Sequence, residues 1–80
     1  MTATTQHANL EITYIITPPD EGETGFHAAC AEFYEANGEG PTEATAIANL
    51  EESLLELFAY RRAQAMKRLP EGAVCRKLSL

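Results

Sequence analysis

The feature that most constrains the fold is one long segment, residues 43–68, that contains neither glycine nor proline. Breakers flank it on both sides, with Gly40 and Pro41 before it and Pro70 and Gly72 after it. Thr42 is a suitable N-cap residue. The segment therefore predicts one long helix, in which apolar residues at helical spacing form a core stripe: Ile47, Leu50, Leu54, Leu57 and Phe58.

A weaker second stripe lies beside the first in the predicted helix. It consists of Ala48, Leu55, Ala59, Arg62 and Met66. Two interpretations are open. Either Leu55, Ala59 and Met66 bind a partner subunit, or the helix is simply broad on its buried side.

Four segments predict β-strands. Residues 10–17 are β-branched and aromatic, with Leu10, Ile12, Tyr14 and Ile16 on one face, and prolines end the segment. Residues 26–33 predict a second strand, residues 34–39 a short third strand, and residues 73–80 a last strand.

The order of these elements predicts an α+β fold of the form β-β-β-α-β. We expect a three-stranded antiparallel meander with one long helix on one face. The helix is long enough to act as a crossover, so the C-terminal strand is expected parallel to the first. The chain of 80 residues suffices for one domain, residues 10–80, preceded by a flexible N-terminus, residues 1–9.

Charge is distributed unevenly along the chain. All six basic residues follow Tyr60, and eleven of the twelve acidic residues precede Leu57. This pattern suits either an acidic body that attracts basic proteins or a helix whose charges complement its dipole. The net charge of −6 argues against nucleic-acid binding by this chain. Three glutamates form a candidate acidic edge, either partner-binding or simply solvated: Glu32, Glu35 and Glu39.

The sequence contains no motif of a known catalytic centre. It has no phosphate-binding loop, GxGxxG, HExxH or GxSxG pattern, and neither His7 nor His27 has a second histidine at ligand spacing. Cys30 and His27 are three apart on a strand, so they point to opposite faces and do not pair as nucleophile and base. We therefore expect no catalysis, no metal and no cofactor. Cys30 and Cys75 are both expected as buried free thiols.

Location and assembly follow from size and hydropathy. No apolar run approaches the roughly 18 residues that cross a membrane, and residues 1–9 lack the features of a signal peptide. We therefore expect a cytoplasmic protein. Because so short a chain builds a thin core, a homodimer or larger homo-oligomer is expected.

The stretch from Gly25 to Ser53 contains GFHAACAEF, GPT and AIANLEES. It resembles the HicB-type antitoxin domain, a partial ribonuclease-H-like fold with a Cys-Pro-Glu-Leu segment, then Gly-x-Thr, then a helix with Ala-x-x-Asn-Leu-x-Glu-Ala. The resemblance covers about residues 10–60, although Ala31 and Phe33 depart from the usual Pro and Leu. The matching positions are Cys30, Glu32, Gly40, Thr42, Ala46, Asn49, Leu50 and Glu52.

The resemblance implies a protein-binding module that neutralises a small basic ribonuclease toxin of the HicA type by direct binding. It implies no nuclease activity in the module itself. Antitoxins of this family usually continue into a DNA-binding domain, which these 80 residues do not include, so DNA binding is not expected of this chain alone. The alternative is a stand-alone oligomer with a regulatory role and no toxin partner.

Overall fold

A computed structural model describes residues 10–79, so the predicted flexible segment 1–9 lies outside the described residues, as does Leu80. The elements are β1 (Tyr14–Thr17), β2 (Phe26–Cys30), β3 (Asn37–Gly40) and α1 (Glu43–Met66). The strands form one antiparallel sheet in the order β1-β2-β3. The α+β class, the three-stranded meander and the single long helix are therefore confirmed.

The strands are shorter than the sequence predicts. β2 ends at Cys30, where the chain bends towards β3 through a turn in which the Ala36 amide donates to the Phe33 carbonyl at 2.9 Å. This turn takes up residues 34–36 of the predicted third strand. Because β2 ends early, residues 10–12 have no strand opposite them. The last bond of this strand pair is at Thr13, whose carbonyl accepts from the Ala31 amide at 2.8 Å.

The helix begins where the sequence predicts. The Thr42 hydroxyl accepts a hydrogen bond from the Thr45 amide at 3.1 Å and so satisfies one of the free amides of the first turn. The helix ends at Met66, two residues before the predicted end, with Lys67 as its C-cap.

The core lies between α1 and the β2–β3 half of the sheet. Leu50 and Leu54 of the predicted stripe are buried, Ile47 and Leu57 are half-buried, and Phe58 is exposed. Around them pack the alternate residues of β2 and parts of the flanking turns. The buried residues are Ala28, Cys30, Ala36, Ala46, Leu50 and Leu54, with Ile16, Phe26, Phe33 and Leu57 packed against them.

Gly38 determines how closely the helix approaches the sheet. A Cβ at this position would overlap the backbone of the helix, at the carbonyl oxygen of Ala46 and the nitrogen of Leu50. The close approach explains why Ala46, outside the predicted stripe, is fully buried. This contact between the backbones of strand and helix requires a small residue on each element, Gly38 on β3 and Ala46 on α1.

The predicted last strand is not formed in the described part of the chain. Residues 73–79 pair with no strand, and residues 67–79 are all exposed. After a turn at Gly72, whose φ is +87°, the chain runs back along the helix, where the Cys75 Sγ lies 3.4 Å from the Met66 Sδ. The expected pairing with β1 is absent because this path leads to the helix and not to the sheet. Cys75 is therefore exposed, contrary to the prediction, whereas Cys30 is buried as predicted.

Candidate interaction surfaces

The β3 edge of the sheet is closed by the helix. Bonded positions alternate in an antiparallel pair, so Asn37 and Glu39 direct their main-chain groups away from β2. The Asn37 amide donates to the Ser53 hydroxyl at 3.3 Å, and the Glu39 carbonyl accepts from the Asn49 side-chain amide at 2.6 Å. Because Asn49 and Ser53 are one helical turn apart, a single face of α1 bonds one outward main-chain group of each of these two residues.

The β1 edge is free. Thr13, Ile15 and Thr17 occupy the bonded positions opposite β2, as the bond from the Ala31 amide to the Thr13 carbonyl shows. Tyr14 and Ile16 therefore point their main-chain groups outward, and no residue among 10–79 forms a backbone hydrogen bond with them there. The segment 10–17 contains no proline, lysine or arginine, the residues that commonly protect a sheet edge.

Apolar side chains of β1 are exposed on both faces of the sheet. The Tyr14 side chain lies on the helix side, because Tyr14 pairs with the buried Cys30. The helix packs over β2 and β3, however, so Tyr14 remains 48% exposed and Ile12 is also exposed. On the opposite face Ile15 is exposed. The free edge of β1 is thus bordered by uncovered apolar surface.

The second helix stripe points away from the sheet. At 100° per residue, Leu55, Ala59 and Met66 lie about 140–180° around the helix from Leu50. All three are exposed, and Leu55 is 69% exposed. The two stripes are therefore on opposite sides, and the interpretation of a helix that is broad on its buried side is wrong. Binding of a partner by Leu55, Ala59 and Met66 stays a prediction.

The three candidate glutamates do not form one acidic edge. The Glu32 carboxylate accepts a hydrogen bond from the Thr13 amide at 2.7 Å, and this bond lowers the pKa of Glu32. Glu35 forms an ion pair with Arg61 of the helix. Glu39 lies at the other end of the β2–β3 hairpin, opposite His27. Glu32 and Glu35 are thus engaged in holding β1 and the helix, which sequence proximity alone did not indicate.

Three of the eight residues that carry the sequence resemblance hold the junction between β3 and the helix, and three others lie in the core. Thr42 caps the helix and Asn49 closes the β3 edge. A Cβ on Gly40 would come within 2.5 Å of the Thr45 side chain. Cys30, Ala46 and Leu50 are buried in the core, whereas Glu52 is exposed. The sequence interpretation missed Ser53, although its spacing of four from Asn49 was visible.

Residues of the kinds that bind metals are not clustered in the described part of the chain. Within residues 10–79, no three His, Cys, Asp or Glu side chains are placed to hold a metal ion. His27 lies 3.0 Å from the Asn37 side-chain oxygen on the open face, on the side opposite Cys30, as the strand alternation predicts. Over the same range, no helix combines the length and apolar character that crossing a membrane requires.

Comparisons of the chain with protein-family models, with curated proteins and with solved structures gave no match. Function is therefore inferred from the surfaces themselves. Three of them are uncovered: the free edge of β1, the outward stripe of α1, and the extended segment 73–79.

Proposed function

We propose that this chain is a protein-binding module, resembling a HicB-type antitoxin, that neutralises a small basic ribonuclease of the HicA type by direct binding. The observation that carries the proposal is the outward stripe of α1. A helix on the surface of a domain normally has one apolar stripe, facing its own core. A second, exposed stripe on the opposite side favours a helix that packs against another protein.

The surroundings of Leu55 favour a basic partner. Glu51 and Glu52 are exposed and lie one helical turn before Leu55, so carboxylates border this apolar anchor on its N-terminal side. An apolar centre with a charged rim is the usual arrangement of a protein interface. The net charge of −6 adds attraction at longer range and speeds the encounter with a basic protein.

The fold is compatible with the same proposal. Of the positions that match the HicB-type pattern, three join β3 to the helix and three lie in the core, so the resemblance concerns the architecture more than a binding site. In the proposed complete fold, the segment 73–80 leaves the helix and forms a fourth strand beside a β1 edge. The proposed site of action is the cytoplasm.

The second candidate function is a stand-alone oligomer with a regulatory role. The free edge of β1 favours it, because an unprotected edge with exposed apolar neighbours is a template for pairing with another chain. The two candidates differ in whether a ribonuclease partner exists at all.

The test uses the purified chain and a purified small basic ribonuclease encoded beside its gene. We expect the chain to inhibit RNA cleavage when the two are mixed in equal amounts, and Leu55→Asp to weaken inhibition at least tenfold, since it places a charge at the apolar centre. Val74→Asp is the matched control, because Val74 is also 69% exposed but lies outside the stripe. Failure of micromolar chain to inhibit the enzyme, or equal inhibition by Leu55→Asp, would contradict the proposal.

A further inference from the structure

We propose that residues 73–79 of one copy bind as a strand along the free edge of β1 in a second copy, parallel to it. The exchange is reciprocal and produces a symmetric dimer. It goes beyond the proposed function, because it involves neither the outward stripe of α1 nor a ribonuclease.

The acceptor is the edge of β1. No residue among 10–79 bonds the outward main-chain donors and acceptors of Tyr14 and Ile16 on this edge, and the preceding residues 10–12 have no residue of β2 opposite them. The helix covers β2 and β3 and leaves the side chains of Ile12 and Tyr14 exposed beside the edge. A strand docked here would satisfy the main-chain groups and bury this apolar surface.

The segment 73–79 has the composition of the missing strand. Val74, Arg76 and Leu78 alternate with Cys75 and Lys77, so Val74 and Leu78 share one face of an extended chain. In a single copy this segment is unpaired, with Val74 69% and Leu78 83% exposed. Docking on β1 would place these two apolar side chains on the same side of the sheet as Tyr14 and Ile12.

The path of the chain favours a second copy over the chain's own β1. From Met66 the chain turns through Pro70 and Gly72 and then lines a groove with Arg62 and Met66. Both residues lie on the outward side of the helix, whereas β1 belongs to the sheet on its inner side. Reciprocal exchange of this segment would supply contacts that the single chain lacks, and exchange of an identical element between two copies is a low-cost route to a dimer.

Charge complementarity supports the same pairing. Residues 10–25 contain four acidic residues and no basic one, and residues 67–79 contain four basic residues and one acidic one. Reciprocal exchange brings each basic segment next to an acidic one. Because these groups are exposed, the attraction is modest and weakens with salt.

The first test compares two variants, one altered in segment 73–79 and one at Leu55 of the helix, whose altered side chains are all largely exposed. We expect the wild-type chain to sediment as a dimer at micromolar concentration, with dissociation favoured by high salt. Val74→Asp combined with Leu78→Asp should give a monomer and leave the circular dichroism of the helix unchanged, because both residues are exposed in the single copy. Leu55→Asp should remain dimeric. A wild-type chain that is monomeric at every concentration, or a double variant that sediments as the wild type, would overturn the proposal.

The second test identifies which β1 is occupied. Cysteine is introduced singly at Glu11, Thr13 and Ile15, which in the proposed dimer lie on the same face as Cys75, and mild oxidation should join one of these positions to the exposed Cys75. We expect the disulfide to link two chains carrying different affinity tags that were unfolded and refolded together. A disulfide within one chain would show return to its own β1 and overturn the exchange.

The two proposals fail in different ways. Loss of ribonuclease inhibition by Leu55→Asp, with the dimer intact, bears only on the proposed function. If the variant with Val74→Asp and Leu78→Asp keeps the wild-type oligomeric state but loses inhibition, segment 73–79 binds the ribonuclease, and the exchange proposal is overturned.

Discussion

The two edges of the sheet differ in whether described residues form hydrogen bonds with their outward main-chain groups. At β3, the Asn37 amide and the Glu39 carbonyl are bonded by Ser53 and Asn49 of the helix. At β1, the equivalent groups of Tyr14 and Ile16 have no such partner within residues 10–79, and apolar side chains beside them are exposed. The helix bonds main-chain groups of the β3 edge, whereas no residue among 10–79 bonds those of the β1 edge.

The difference follows from the widths of the elements. Strands are about 4.8 Å apart, and a helix with its side chains is about 10 Å wide, so one helix covers about two strands. Gly38 draws the helix onto β3 because it lets the two backbones touch. A helix fixed there reaches over β2 but leaves β1 uncovered. The glycine that closes one edge therefore also determines which edge stays open.

The largest expected effect comes from removing the close approach at β3. Gly38→Ala would force backbone against backbone, so we expect a loss of about 3 kcal/mol of unfolding free energy, measured by urea denaturation. The matched control is Gly22→Ala, where the φ of +85° is unfavourable for alanine but no atom lies within 4 Å. It should cost only about 1 kcal/mol. Equal losses in the two variants would show that the helix does not depend on Gly38.

A smaller effect is expected from opening the β3 edge. Asn49→Ala and Ser53→Ala each remove one hydrogen bond to β3, with an expected cost of about 1 kcal/mol apiece. The double variant should also form assemblies larger than those of the wild type, because its sheet then has two open edges. Sedimentation and urea denaturation measure both effects. Glu52→Ala, at an exposed position of the same helix, should change neither. Unchanged assembly of the double variant would contradict the importance of edge closure.

The smallest effect concerns pH at the start of β1. The Thr13 amide lowers the pKa of Glu32 below the ordinary glutamate value of about 4.3. A depressed carboxyl pKa contributes stability above the unfolded-state value, and the contribution is lost as pH falls through the folded-state value. Glu32→Gln should therefore slightly flatten the decline of stability in acid. A carboxyl titration followed by NMR checks the shift, and a Glu32 midpoint at or above the ordinary value would contradict it.

The sequence was sufficient to predict features that depend on neighbouring residues. Thr42 caps the helix, Leu50 and Leu54 are buried, and the alternation of β2 separates Cys30 from His27, all as predicted. These features follow from spacing alone, because the helical and strand periods fix which side chains share a face.

Features that depend on distant contacts were not predictable in the same way. Asn37 and Gly38 have low strand propensity, yet they form β3 because the helix needs a residue without a side chain there. The spacing of Leu55 fixes its direction on the helix, but only the structure shows that the Leu55 side chain stays 69% exposed there. Similarly, the pattern of residues 73–79 predicts a strand beside β1, but it does not indicate the path after Gly72 that takes the segment along the helix.

The packing of each element against its neighbour in sequence also affects the order in which parts of the domain fold. Each described element packs against its neighbour in sequence, through connections at residues 18–25, 31–36 and 41–42. Such local contacts close short loops, and chains built from them fold fast. The sheet and helix are therefore expected to form as a rapid unimolecular step that does not wait for residues 67–79. Under the exchange proposal, filling the β1 edge is a separate bimolecular step, whose rate rises with protein concentration.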